Sequence, residues 1–135
     1  MIRSTSLPVI GTNTLVSIAK ESFPVPAKVD TGADGTAVWA SDVHINNREL
    51  CFVLFDASSP FYSGTEYRTT EFRIIQVTGS TGKSEVRFSV KLPMLIEGRR
   101  MRVWCSLADR SKRRYPILIG RRTLKNKFVV DVASY

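Results

Sequence analysis

The chain has 135 residues, of which 43% are hydrophobic and 24% charged, a composition typical of a soluble globular protein rather than a disordered one. The longest clearly apolar run, Cys51 to Phe55, is far too short to span a bilayer, so we expect no membrane partner. Lysine and arginine exceed aspartate and glutamate by 20 − 12 = 8, and such a surface attracts either nucleic acid or an acidic polypeptide.

The length and the N-terminal residues set further expectations. At 135 residues we expect a single domain, residues 1–135, that buries its own core. Met1 to Ser6 lack the apolar stretch of a signal peptide, which favours a cytoplasmic location. Cys51 and Cys105 form no CxxC pair and lie in strand-like runs, so we expect buried free thiols.

Strand patterns dominate the first half of the chain. The predicted strands are Leu7 to Ile10, Leu15 to Ala19, Phe23 to Asp30, Ala37 to Ala40 and Leu50 to Phe55. Gly11-Thr12-Asn13, between the first two, predicts a hairpin turn. Ala57 to Thr70 is rich in serine, threonine, glycine and proline, which predicts a loop.

The second half continues with strands and ends in one short helix. The predicted strands are Glu71 to Val77, Ser84 to Leu92, Met101 to Ala108, Ile117 to Ile119 and Phe128 to Val132. Thr78 to Lys83 joins the first two and predicts a hairpin with a mobile tip. Arg121 to Lys127 is the only helical segment. Many short strands with regular turns predict an all-β, closed β-barrel with one short C-terminal helix.

The segment Asp30-Thr31-Gly32-Ala33-Asp34 follows an apolar strand and carries the main chemical signal. An Asp-Thr-Gly turn suits a site in which two carboxylates share one proton, because two like charges about 3 Å apart cannot both ionise. Gly32 has no Cβ and permits close approach of the backbone. Taken alone, the segment could equally be an ordinary Asx or Gly turn. Ile117 to Arg121, whose glycine lies 120 − 32 = 88 residues further on, favours the catalytic interpretation.

Together these two motifs resemble one lobe of the retroviral-type aspartic proteases, and the resemblance covers most of the chain. It implies that Asp30 is the catalytic aspartate, that Thr31 supplies a hydroxyl across a dimer, and that Gly32 belongs to the catalytic turn. It also implies that Asp34 and Arg121 form a buried ion pair bracing this turn, which would cost about 3–5 kcal/mol to break one-sidedly. The substrate-binding residues implied by the resemblance are Ala33, Asp34, Gly79, Ser80, Thr81 and Gly82, the last four forming a flap tip over the cleft.

A closer resemblance is to a bacterial and archaeal group once named ATP-dependent zinc proteases and now regarded as retropepsin-like aspartic peptidases. The matching segments are Ala27 to Ala33, Leu118 to Arg121 and Val130 to Tyr135. Val132, where the group usually has proline, and Asp34-Gly35-Thr36 depart from its pattern. Some members are linked to a ligase that adds glutamates to a ribosomal protein, which implies acidic tails as substrates for a basic enzyme.

Metal and nucleotide sites are not expected from these residues. His44 is the only histidine and lies in a polar stretch, whereas catalytic zinc needs about three protein ligands. Gly79 to Ser84 ends like a phosphate-binding loop but has too few residues between its glycines. We therefore expect no metal and no cofactor.

The sequence thus predicts a homodimeric aspartic endopeptidase, since the chain has one Asp-Thr-Gly and the chemistry needs two. The alternative is a catalytically silent module that binds nucleic acid or an acidic protein. The basic groups are Arg99, Arg100 and Arg102, then Lys112 to Arg114, then Arg121 and Arg122. They could also be a solubilising surface, and no nucleic-acid-binding signature accompanies them, so we do not expect nucleic acid as a partner. If the flap assignment fails, Ser58 to Tyr67 is the next candidate for a covering loop.

Overall fold

The computed structural model describes residues 6–79 and 81–134, which form short strands and one helix. The strands are β1 (Val9–Ile10), β2 (Asn13–Ile18), β3 (Val25–Val29), β4 (Thr36–Asn46), β5 (Glu49–Leu54), β6 (Glu66–Thr69), β7 (Phe72–Thr78), β8 (Ser84–Ile96), β9 (Arg99–Ala108), β10 (Ile117–Ile119) and β11 (Val129–Val130). The helix is α1 (Arg121–Leu124), directly after β10.

Six of the strands close into a barrel in the order β10–β3–β2–β8–β9–β4, and β10 pairs again with β4. Closure depends on β10, which runs parallel to β3 on one side and antiparallel to β4 on the other. The prediction of an all-β closed barrel with one short C-terminal helix is confirmed. The arrangement also brings Asp30, which follows β3, beside Gly120, which follows β10.

The core fills the barrel and continues beneath β5, which pairs with the second half of β4. Every residue from Leu50 to Leu54 is buried, because β5 is covered on both faces. Trp39 packs edge to face on Phe55, with ring centroids 6.3 Å apart. Phe52 stacks on Tyr67 of β6 at 5.4 Å. This second apolar layer fixes β4, and with it the start of β4 next to Asp30.

The predicted hairpin at Gly11 to Asn13 is wrong. β1 does not pair with β2; it runs parallel to β11, with Val9 opposite Val129. Thr12 joins this two-stranded sheet to the barrel, because its N–H donates to the Ser134 carbonyl at 2.8 Å and its carbonyl accepts from Val29 N–H at 3.0 Å. Pairing between the two ends of a chain is invisible to local turn signals, which report only neighbouring residues.

Three further predictions concern the loop after β5, the β7–β8 hairpin and the two cysteines. The predicted loop Ala57 to Thr70 contains the four-residue strand β6. The hairpin of β7 and β8 is present, with Thr78 opposite Ser84 at its tip. Cys51 and Cys105 are buried free thiols, as expected. In the part of the chain that the structure describes, no helix has the length and apolarity needed to cross a bilayer.

Candidate active site

Asp30 directly follows β3, and from this residue the chain turns away from the sheet. Its N–H donates to the Ile119 carbonyl at 2.9 Å, so β10 holds the backbone of Asp30 as it holds β3. Its carboxylate Oδ1 accepts the Gly32 N–H at 2.9 Å, which orients the side chain. A Cβ at position 32 would lie 3.2 Å from that oxygen, so glycine keeps the turn this tight. The Asp30 side chain is 28% exposed, open enough to meet a second group.

Lys28 lies two residues before Asp30 on the same strand face, and its Nζ is 3.9 Å from Asp30 Oδ2. The lysine places a positive charge beside the carboxylate and stabilises negative charge there. This neighbour was not predicted as part of the site. The alternation of strand residues could have identified it, because positions 28 and 30 point to one side of β3.

The start of α1 holds the far side of the turn through the backbone. Arg121 N–H donates to the Ala33 carbonyl at 2.8 Å, and Arg122 N–H donates to the Asp34 carbonyl at 3.0 Å. Gly120 N–H donates to the Thr36 hydroxyl at 3.2 Å, and that hydroxyl lies 2.6 Å from the hydroxyl of Thr123. Thr36 and Thr123 are both buried and were not predicted. The turn is therefore fixed at both ends, by β10 and by α1.

The side chains of Asp34 and Arg121 contact each other, and Arg121 Nη1 also donates to the Thr31 carbonyl at 3.0 Å. The expectation that this pair is buried is wrong for the single chain, because the Arg121 and Asp34 side chains are 55% and 66% exposed. Solvent reaches both charges, so the pair contributes about 0–1 kcal/mol here rather than the larger figure of a buried pair. Thr31 is exposed as well.

The predicted flap tip is an exposed turn at the end of the β7–β8 hairpin. Gly79 N–H donates to the Lys83 carbonyl at 3.0 Å, and Gly82 has a φ of +80°. Thr81 is exposed, and Ser80 lies outside the described residues. No hydrogen bond links the described tip residues to the Asp30 turn. The structure therefore brings together the residues of the turn and α1, and it forms no hydrogen bond between them and the described tip residues.

The stem of the same hairpin exposes apolar side chains on its inner face. Ile74 and Val86 lie on the face of β7 and β8 that continues into the buried residue Val90. They are nevertheless 66% and 71% exposed. An uncovered apolar surface of this kind suits an extended chain lying beneath the hairpin.

The loop Ser58 to Tyr67, the second candidate for a covering loop, is held at the opposite end of β3. Ser63 Oγ donates to the Glu21 carboxylate at 2.7 Å, and the Tyr67 hydroxyl donates to the same carboxylate. Burial, together with this bond to Glu21, raises the pKa of Tyr67. Glu21 lies in the β2–β3 connection, before β3 begins, whereas Asp30 follows its end. This loop is therefore placed away from the Asp30 turn.

The loop between β9 and β10 carries positive charge that was not predicted as part of the site. Arg110 lies in the loop between β9 and β10, and its Nε donates to the Tyr115 carbonyl at 3.0 Å. Burial lowers the pKa of Arg110, the positive charges of Arg113 and Arg87 add to that effect, and Asp30 acts in the opposite direction. The basic group Lys112 to Arg114, which was visible in the sequence, lies in the same loop.

Among residues 6–79 and 81–134, no three His, Cys, Asp or Glu side chains are grouped so that they could hold a metal ion. His44 lies on the exposed half of β4, with its Nδ1 2.9 Å from the Asp42 carbonyl.

Comparison with known proteins gives a family and a fold. The family described as "Retropepsin-like aspartic endopeptidase RimB" (RimB-like) matches residues 9–135. Among solved structures, the chain resembles a protein of unknown function (DUF785) from Legionella pneumophila subsp. pneumophila str. Philadelphia 1. The TM-score is 0.70 at 20% identity, covering 93% of this chain and 94% of that one. No curated protein sequence matches. The older zinc-protease name of the resembling group has no counterpart in the family description.

Proposed function

The chain belongs to the RimB-like family of retropepsin-like aspartic endopeptidases, and from that premise we propose that it hydrolyses peptide bonds with Asp30 as its catalytic carboxylate. The observation that carries the proposal is the Asp30 carboxylate itself. It is oriented by the Gly32 N–H at 2.9 Å, it remains partly open, and its turn is held by β10 and α1. A binding module has no need of a carboxylate positioned in this way.

The proposed mechanism uses two copies of Asp30 from two chains. One carboxylate is ionised and the other protonated, because the pair shares one proton. The ionised carboxylate removes a proton from water as the water oxygen attacks the peptide carbonyl, and the protonated one donates to the carbonyl oxygen. Proton transfer to the amide nitrogen then releases the amine and restores the shared proton. Gly32 and Ala33 supply backbone beside the substrate, and the hairpin tip Gly79 to Gly82 covers it.

Homodimerisation is supported by the exposure of the Asp30 turn and of valines in the β1–β11 sheet. Thr31, Gly32, Asp34 and Gly35 are all exposed, so the turn is available to a second copy. The β1–β11 sheet is linked to Val29 through Thr12, and it exposes Val9 and Val129. A two-fold axis near Asp30 would cover both the turn and these valines in one isologous interface. Sedimentation that gives a monomer at every concentration in an active sample would contradict the dimer.

An acidic polypeptide is the proposed substrate class. The net charge of +8 and the Arg121 guanidinium, which binds the Thr31 carbonyl in the Asp30 turn, support this choice, because opposite charge raises the local concentration of substrate and its association rate. We also propose a cytoplasmic location, because Cys51 and Cys105 are both buried free thiols.

The decisive experiment measures cleavage of a pool of acidic peptides by wild type and by Asp30→Asn, with and without a chelator. We expect wild type to cleave in both conditions and Asp30→Asn to be inactive. Asp42→Asn, an equal change at an exposed site on β4, should retain wild-type activity. Activity that survives in Asp30→Asn, or that disappears on chelation, contradicts the mechanism. Retention of wild type on a polyanion column without any turnover would instead favour the silent binding module.

A further inference from the structure

The sheet formed by β7, β8 and β9 has one face towards the barrel core and one face towards solvent. The buried pair Leu92 and Val103 marks the inner face, so the neighbouring pair Lys91 and Trp104 lies on the outer face. The same alternation assigns further positions on all three strands to the outer face. We call the following residues the basic face: Arg73 on β7, Lys91 on β8, and Arg100, Arg102 and Trp104 on β9.

The charge of the basic face is not neutralised by the fold. In β7, β8 and β9 the only acidic residue is Glu85, and its carboxylate lies 2.6 Å from Arg87, which is not a member of the basic face. Among residues 6–79 and 81–134, no carboxylate forms an ion pair with a member of this face. Lys91 is half-buried, and the three arginines are exposed. The face therefore offers four positive charges to a negatively charged partner.

Trp104 restrains one of these arginines. The guanidinium carbon of Arg73 lies over the Trp104 ring, 3.8 Å from its centroid. Contact at this distance is a cation–π interaction, which restricts a side chain that would otherwise move freely at the surface. Because Arg73 is exposed, the side of its guanidinium that faces away from the indole is accessible. Single-stranded nucleic acids are bound by stacking of their bases on aromatic side chains or on arginine guanidinium planes.

The remaining positive side chains suit a phosphate backbone. Arg100 and Arg102 are two residues apart on β9, so their Cα atoms lie about 7 Å apart along the strand. Lys91 lies on the adjacent strand, opposite Trp104. Positive charges that repeat along a strand can bind successive phosphates of one chain. An acidic polypeptide would also neutralise these charges, but it has no base to stack on the Arg73 guanidinium.

We propose that the basic face binds single-stranded nucleic acid. A base stacks on the Arg73 guanidinium, and the other positive side chains of the face bind phosphates. The sequence analysis did not predict this surface, because its residues come from three strands and form no linear motif. Ile74 and Val86 lie on the other face of the β7–β8 hairpin, so the inference goes beyond the proposed peptidase function and does not depend on it.

The first test measures fluorescence anisotropy with three labelled probes, each about 12 units long, within the span of common single-strand sites. The probes are an oligouridylate, an abasic sugar-phosphate chain and an oligoglutamate, and we expect wild type to bind the oligouridylate most tightly. Arg73→Lys keeps the charge but removes the planar group, so it should weaken oligouridylate binding roughly 10-fold and leave binding of the abasic chain unchanged. Arg122→Lys, the same change at an exposed arginine of α1, should bind like wild type.

The second test addresses the phosphate contacts through Arg100→Gln/Arg102→Gln. This variant should make the slope of log affinity against log salt concentration shallower by about 1.4, because each phosphate contact to a single strand contributes about 0.7. Arg48→Gln/Lys125→Gln is the matched control, since it removes two exposed positive charges that lie outside the three strands. The control should keep the wild-type slope. Equal effects of the two double variants would mean that net charge alone drives binding, and the inference would be wrong.

Tryptophan fluorescence locates the bound chain. Trp104 is half-buried whereas Trp39 is only 8% exposed, so the oligouridylate should quench mainly Trp104, and Trp104→Phe should lose this quenching. Absence of oligouridylate binding by wild type, or binding of the abasic chain or the oligoglutamate with equal affinity, would overturn the inference. Asp30→Asn should bind the oligouridylate as wild type does. Failure of this inference would therefore leave the peptidase proposal standing, and absence of cleavage would leave this inference intact.

Discussion

The hydroxyls of Thr36 and Thr123 lie 2.6 Å apart in a buried contact that ties the start of β4 to α1. The Thr36 oxygen also accepts the Gly120 N–H at 3.2 Å. This small cluster joins the segment after the Asp30 turn to the helix that supports the turn. The cluster contains no charged group. Both threonines are buried, so water cannot replace a hydrogen bond that one of these polar atoms loses.

Thr36→Val should therefore destabilise the protein by about 1–3 kcal/mol, because a buried N–H and a buried hydroxyl both lose a partner. Activity should fall with stability, since the turn is held by the same residues. Chemical denaturation measures the change. Thr69→Val, at a half-buried threonine on β6 whose hydroxyl accepts the Glu71 N–H in a solvent-accessible bond, should destabilise the protein less than Thr36→Val does. Equal stability of Thr36→Val and wild type would contradict the role of the cluster.

Gly120→Ala should be among the most damaging single substitutions in the chain. A Cβ at position 120 would lie 2.2 Å from the Gly35 carbonyl oxygen and 2.9 Å from the Gly35 nitrogen, and backbone cannot move aside as a side chain does. We expect poor folding or loss of activity. Gly35→Ala is the control, because a Cβ there has no heavy atom within 4 Å in the single chain. Thermal melting of the two variants compares them, and a stable, active Gly120→Ala would disprove the tight contact.

Arg121→Ala should affect activity and dimerisation more than monomer stability. The Asp34 contact is exposed, so its loss costs at most about 1 kcal/mol. The same arginine also binds the Thr31 carbonyl, and the turn loses that restraint. Sedimentation and peptide cleavage should both show a defect, while Arg122→Ala, the next exposed arginine, should show neither. A large drop in the stability of the monomer would mean that solvent does not screen the pair.

Stability should decline above pH 9 because of Cys105. Burial raises the pKa of its thiol from an ordinary value of 9.0 to about 12. Between these values the unfolded thiol ionises and the folded one does not, so unfolding becomes more favourable as pH rises, by up to about 1.4 kcal/mol per pH unit. Denaturation at pH 8, 9 and 10 should show a steeper decline in wild type than in Cys105→Ala. Parallel declines, or rapid alkylation of Cys105 in the native protein, would contradict the burial argument.

The local backbone structure around the two motifs was the part of this molecule that local reasoning predicted well. β3 ends directly before the Asp30 turn, β10 ends directly before Gly120 and α1, and each of these signals lies within a few residues. The same is true of the β7–β8 hairpin, whose glycines mark its tip. These features depend on backbone conformations that particular residues permit, so the sequence reveals them directly.

Contacts between residues far apart in the sequence could not be predicted in this way. The pairing of β1 with β11 joins residues 9 and 129, and no turn signal reports it. The sequence showed the basic loop between β9 and β10, but its place in the fold is set by closure of the barrel through β10. The exposure of Asp34 and Arg121 could not be predicted from neighbouring residues either. The resemblance to a dimeric family implied that the pair is buried, but in the single chain both side chains are exposed.

Closure of the barrel by β10 also has a consequence for synthesis on the ribosome. β10 has three residues, Ile117–Ile119, yet both β3 and β4 depend on it for pairing. Until it is translated, the Asp30 N–H lacks the Ile119 carbonyl and the turn lacks the support of α1. Contacts this distant along the chain form late and slowly. In the nascent chain the Asp30 turn therefore stays incomplete until β10 and α1 have been translated, and whatever chemistry Asp30 performs can start only after that.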